Sequence, residues 1–172
     1  NVSDITVAAI TKRLDQVFAA GNNNGMLDTG AVAINTSYHI FAISQAGGLA
    51  PEILASTSLT PTMPATYTQR RRIGWLRTDS SSNIRRFVSR ETAGGGLEVL
   101  WNEAAVVQDV NDATTGTSAK TATLTVPTGY VVSARVYAAL NDTTGRMRVT
   151  ALNTTDLATT GSDPGELGES SG

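Results

Sequence analysis

The chain has 172 residues, about one domain's worth, and its 13 Lys+Arg against 15 Asp+Glu leave a net charge of −2, so overall charge neither recruits nor repels a polyanion. The absence of cysteine excludes disulfides, thiolate zinc sites, iron–sulfur clusters and cysteine nucleophiles. No apolar run nears the roughly 20 residues of a membrane helix, so membrane insertion is not expected.

Threonine, alanine, glycine and serine dominate, which favours strands and turns over long surface helices. Beginning at Asn1 rather than Met, the chain reads as processed or as a piece of something longer. In residues 3–20, Ile5 and Val7 alternate as in a strand, whereas Ile10, Leu14, Val17 and Phe18 recur at helical spacing. The reading favoured is a strand followed by a short helix or turn. The glycine- and asparagine-rich run Gly21 to Gly30 predicts a tight loop.

From Thr36 to Ser44, Tyr38, Ile40 and Ala42 fall on one face and His39, Phe41 and Ile43 on the other. That is a strand apolar on both faces, expected to lie centrally in a sandwich. Glu52 to Ser58 follows the Gly47-Gly48 turn as a second strand. Pro61 and Pro64 force an irregular approach to Tyr67. The stretches 70–77 and 84–90, joined by a turn-rich TDSSSN, read as a hairpin.

Strands are further expected at Leu97 to Trp101, Ala104 to Val107, Thr121 to Val126, Tyr130 to Leu140 and Arg146 to Ala151. Eight to ten short strands without a long amphipathic helix predict an all-β fold, an antiparallel β-sandwich of jelly-roll type. The sandwich is assigned to residues 1–152. Residues 153–172 carry four acids, no base and only Leu157 and Leu167 as large apolar side chains. Such a stretch cannot fold alone, so an extended arm held by a neighbouring chain is expected.

Seven arginines lie between Arg70 and Arg90 (Arg70, Arg71, Arg72, Arg77, Arg85, Arg86, Arg90) against one acid, Asp79. Strict alternation places Arg71 with Ile73 and Trp75, and Arg70 and Arg72 with Gly74 and Leu76. Arginine mixed with apolar side chains on both faces fits stems covering a core edge and heads pairing with carboxylates. Binding of an anionic glycan ranks second. No basic run interleaved with exposed aromatics supports a nucleic-acid platform, and no nucleic-acid partner is expected.

His39 is the sole histidine, and with no GxSxG elbow in the chain it reads as structural rather than as part of a triad or metal site. Carboxylates at Glu52, Glu91, Glu98 and Glu103 have nothing to pair them for glycoside hydrolysis. The Asp109 to Gly116 segment lacks the spacing and the bidentate glutamate of a calcium loop. No catalytic residue, cofactor or metal is expected. A carbohydrate-binding module, stacking sugars on Tyr38, Tyr67, Trp75, Trp101 or Tyr130, is the second functional reading.

The pieces GMLDTG (Gly25 to Gly30), NTSYHIFAI (Asn35 to Ile43), ILASTS (Ile53 to Ser58) and above all PTMPATYTQRRRIGWLRTDSSSNI (Pro61 to Ile84) resemble a segment of bacteriophage virion proteins of the tail, tail-fibre and prophage structural kind. Their common pattern is PxxPxxYxxxRRIG followed by a TD turn. The resemblance covers about a third of the chain. It implies a β-rich, non-enzymatic virion component, oligomeric and often trimeric, on a fibre, tail or capsid surface beside other virion proteins. It further implies that Tyr67, Arg71, Arg72, Ile73 and Gly74 fix a hairpin and its packing. Host attachment through a surface glycan would be an added role.

Overall fold

A computed structural model describes residues 5–91, 97–101, 109–111, 118, 120–126, 132–134, 136–139, 147–150 and 166–167. The chain divides into two compact units, one of Asn1–Val107 with Pro127–Tyr130, the other of Gln108–Val126 with Val131–Gly172. The described structure is almost entirely β, as the composition predicts. Its one helical element is a short 3₁₀ turn at Ala46–Gly48. Among the described residues no helix is long and apolar enough to cross a membrane.

The first unit is built on a five-stranded sheet in the order β1-β2-β4-β3-β5. Its strands are β1 (Arg13–Val17), β2 (Gly25–Leu27), β3 (Ser37–Gln45), β4 (Glu52–Ser56) and β5 (Tyr67–Arg77). β3 pairs antiparallel with both β4 and β5, whereas β1–β2 and β2–β4 are parallel. The sheet is therefore mixed, which corrects the expectation of a purely antiparallel one. A second pair, β6 (Phe87–Glu91) and β7 (Leu97–Trp101), is antiparallel.

β3 is an interior strand, flanked by β4 and β5, and it buries side chains on both faces, as its two-faced apolar pattern predicts. One face carries Tyr38 and Ile40, which pack with Leu14, Met26, Ala55 and Leu76. The other carries Phe41 and Ile43, which pack with Leu54 and Tyr67, with Phe18 and Met63 laid against them. Gly47 and Gly48 take φ of 78° and 79° in the turn between β3 and β4, a conformation that glycine adopts without steric cost.

The N-terminal region departs from its sequence reading. Residues 5–12 lie outside any strand or helix, and the strand forms later, at β1, where only Leu14 is buried. The run expected as a loop contains β2, all three residues of which are buried. Gly25 explains this: a Cβ built there would lie 2.1 Å from the Val17 carbonyl oxygen and 2.5 Å from that of Gln16. Only a residue without a side chain lets the two backbones approach so closely.

The hairpin expected between 70–77 and 84–90 barely starts. It consists of the Thr78–Ile84 bridge, with the Arg85 N–H donating to the Arg77 carbonyl and the Asp79 N–H to the Asn83 carbonyl, each at 2.8 Å. The Asp79 carboxylate accepts the Ser81 and Asn83 N–H groups at the turn, which holds its pKa below the usual carboxylate value. Beyond the turn, β6 pairs with β7 instead of β5.

In the second unit, Met147–Arg148 (β8) pairs antiparallel with Glu166–Leu167 (β9). At these residues the predicted arm returns to its own chain rather than extending away. Residues 121–126, 132–134 and 136–139 are described outside strands. The strand expected at Ala104 to Val107 lies outside the described residues.

Candidate functional site

The arginine-rich strand β5 is an edge of the sheet. Its ladder with β3 pairs Ile40 with Gly74 but Phe41 with Arg72, leaving Ile73 as an extra residue. Further along, Ser44 pairs with Gln69 and Gln45 with Tyr67, so Thr68 is also extra. Side chains alternate faces along a strand, so each bulge reverses the assignment of every residue beyond it.

The reversal corrects the placement expected from alternation. Arg72 and Arg70, opposite Phe41 and Ile43, share the face of Trp75, which is opposite His39. Arg71, opposite Ala42, shares the face of Gly74 and Leu76. Gly74 faces the Ile40 side chain, where an added Cβ would meet Ile40 Cβ at 4.0 Å, an ordinary van der Waals contact. Of the five residues the resemblance singles out, Tyr67 is buried edge-on against Phe18 at 5.3 Å, Arg72 is half-buried, and Arg71 and Ile73 are exposed. They build a bulged edge strand, not a hairpin.

Ion pairing, the favoured sequence reading of the arginines, is partly seen. Arg90 pairs with Glu98 across β6–β7, and Arg77 donates to the Ser37 hydroxyl at 3.2 Å. Arg70, Arg71 and Arg86 make no ion pair among the described residues and lie exposed. Arg72 has its pKa drawn down by burial.

Of the five aromatic residues weighed for sugar stacking, the three whose side chains are described offer no platform. Tyr38, Tyr67 and Trp75 are 2%, 7% and 8% exposed. The Tyr38 hydroxyl accepts the Ala33 N–H at 2.8 Å. Trp101 pairs with Phe87 in register, but its side chain, like Tyr130, lies outside the described residues. Tyr137, which sequence reasoning passed over, is the open aromatic among those described.

His39 sits inside the sheet, and burial, followed by the charge of Arg72, lowers its pKa below the ordinary 6.5. The folded protein thus resists protonating it. Above pH 6.5 this costs nothing; as the pH falls through 6.5, the unfolded chain takes up a proton that the folded one refuses, and stability drops. Urea midpoints measured from pH 7.5 to 5 should fall more steeply for the native chain than for His39→Gln; parallel curves would refute this.

Three polar groups escaped sequence reasoning. Thr78, fully buried, accepts the Thr36 N–H and donates to the Ala33 carbonyl, tying β5 to the segment before β3. Asp28 accepts from the Ser56 hydroxyl and the Thr62 N–H, anchoring the loop after β4. Lys12 donates to the carbonyls of Ala19 and Gly21 and to Glu52, whose other oxygen accepts the Gly21 N–H. In the second unit Asp109, from the segment weighed as a calcium loop, accepts the N–H and the hydroxyl of Thr125.

Comparison with family models, curated proteins and solved structures gives no match. The site is therefore argued from its own geometry. Among the described residues no three His, Asp or Glu side chains gather as metal ligands. The features left for recognition are the outer edge of β5, its exposed arginines, and an open apolar hollow of about 280 Å³ where Ile73 and Leu76 meet Phe87 and Val99 of the β6–β7 pair.

Proposed function

We propose that the protein is a non-enzymatic structural component of a bacteriophage virion, at a fibre, tail or capsid-surface (decoration) position. It self-assembles, as a trimer, beside other virion proteins and contributes to host attachment. The observation that carries this reading is that the PxxPxxYxxxRRIG stretch forms the sheet's edge strand, where neighbouring chains can join a ladder. Exposed Ile73 on that edge, Ile84 beyond the following turn, and Val88 and Leu100 on the β6–β7 pair support it, since association would remove them from water.

The jelly-roll-like sandwich belongs to the same proposal, with the five-stranded sheet as one mixed layer. In its support, β3 buries apolar side chains on both faces. Less supports carbohydrate binding: among the described side chains weighed for it, Tyr38, Tyr67 and Trp75 offer no open ring face. Light scattering of the full chain at micromolar concentration should return a mass near three times 17.9 kDa. A stable monomer would overturn the proposal.

A further inference from the structure

The open part of β5 is short and well defined. Thr68, Arg70, Arg71 and Ile73 are exposed, whereas Trp75 and Leu76 are buried and Arg77 is tied to Arg85. Between the bulges at Thr68 and Ile73 lie four regularly paired residues, Gln69 to Arg72, opposite Ser44 to Phe41 of β3. On their outer side no described strand pairs with them. An edge strand there presents ladder donors and acceptors, flanked by guanidinium groups above and below the sheet.

That arrangement discriminates between occupants. A second β5, brought alongside, would set arginine against arginine, which opposes pairing. A strand carrying carboxylates would gain both the ladder and charge-assisted hydrogen bonds to the arginines. Residues 153–165 supply such a strand by composition: Thr154 to Thr160 (TTDLATT) is threonine-rich, free of glycine and proline, and holds Asp156, with Asp163 beyond it and no base. At about 3.3 Å per residue, its seven residues exceed the four-residue gap between the bulges.

We infer that the β5 edge of one copy binds the 153–165 stretch of another copy as an added strand, with Arg71 meeting the carboxylate of Asp156. This rests on the proposed self-assembly and names the contact through which it occurs. The bulges and the arginines then have a common role: they turn away uncharged or basic strands and admit an acidic one.

The test is charge reversal in the full chain, read as the assembly's dissociation constant by sedimentation. Arg71→Glu and Asp156→Lys should each weaken assembly about tenfold or more, and the chain carrying both should recover most of the loss. Circular dichroism separates misfolding from lost association, and Arg71→Gln provides a milder version of the first variant. Because the chain lacks cysteine, an Arg70→Cys chain can also be mixed and oxidised with Thr155→Cys or Leu157→Cys chains of different tag length, the positions beside Asp156 that fall opposite Arg70 in a parallel or an antiparallel added strand; a mixed disulfide dimer with one of them is expected. If the native chain is monomeric, the self-assembly reading fails. If it assembles but Asp156→Lys matches it and no mixed dimer forms, the strand-addition inference alone is overturned, whether nucleic acid or some other partner then proves to take the arginines.

Discussion

Replacing Gly25 with alanine should unfold the sheet at its β1–β2 margin and lower stability by ~3 kcal/mol, at the upper end for overpacking. The obstacle is main chain, not a yielding side chain: the new methyl would lie 2.1 Å from Val17 O, 2.5 Å from Gln16 O and 2.7 Å from Gln16 C. To relieve this, β1 must move away from β2, which breaks the bonds from Phe18 N–H to Leu27 O (2.7 Å) and from Ala19 N–H to Gly25 O (3.2 Å). Leu14 would leave its cluster with Met26 and Ala55. Thermal melting of Gly25→Ala should fall by about 10 °C. Gly30→Ala is the internal control, since nothing lies within 4 Å of its Cβ; its φ of 75° costs local strain only. Equal losses for the two would show that the close approach at Gly25 is not what matters.

The second large effect is expected at Glu52. Its carboxylate and the Lys12 ammonium are 3.1 Å apart, with side chains only 9% and 3% exposed. All three ammonium donors are used, on Glu52, Ala19 O and Gly21 O, and the cation lies 5.0 Å from the Phe18 ring centroid. Glu52→Gln therefore strands a buried positive charge, and the loss expected for breaking one partner of such a pair is ~3–5 kcal/mol. Replacing both, as Lys12→Met with Glu52→Leu, should recover much of it, because an apolar pair has no charge to desolvate. Chemical denaturation of the two variants beside the native chain checks this; a Glu52→Gln midpoint equal to the native one would show that the pair is inert.

These two sites also mark where sequence reasoning stops. β3, β4 and β5 were legible as elements because apolar runs bounded by glycine, proline and serine turns leave little choice of type, although β5 begins three residues before Arg70 and β4 ends two before Ser58. β2 was not, since in a run of glycine and asparagine the one glycine needed for backbone contact looks like those needed for turns. The parallel pairing of β2 with β4 is equally hidden, as alternation predicts faces but not partners. Lys12 and Glu52 are 40 residues apart, and no local pattern joins them.

At the candidate site the arginines, the proline-led approach to Tyr67 and the strand that follows were all visible beforehand, but its place at the edge of the sheet was not. The side of the sheet each arginine occupies was not. One surplus residue at Ile73 exchanges the faces of Arg71 and Arg72, and the only local hint is the neighbouring Gly74. Among the described residues, two of the weighed aromatics are closed to a sugar for a related reason: Tyr38 and Trp75 belong to a strand pair filled on both sides, so size alone sends them inward.

The two-sided burial of β3 carries a cost before folding is complete. A nascent SYHIFAIS segment has no proline, glycine or formal charge, which is the composition of a self-stacking amyloid-forming segment. Its nearest cover, β4, follows after a turn of only a few residues and can close locally, whereas the other side waits for β5. The arginines that arrive with β5 act as gatekeepers for the newly made chain, so substituting them should increase inclusion-body formation even where the finished fold is untouched.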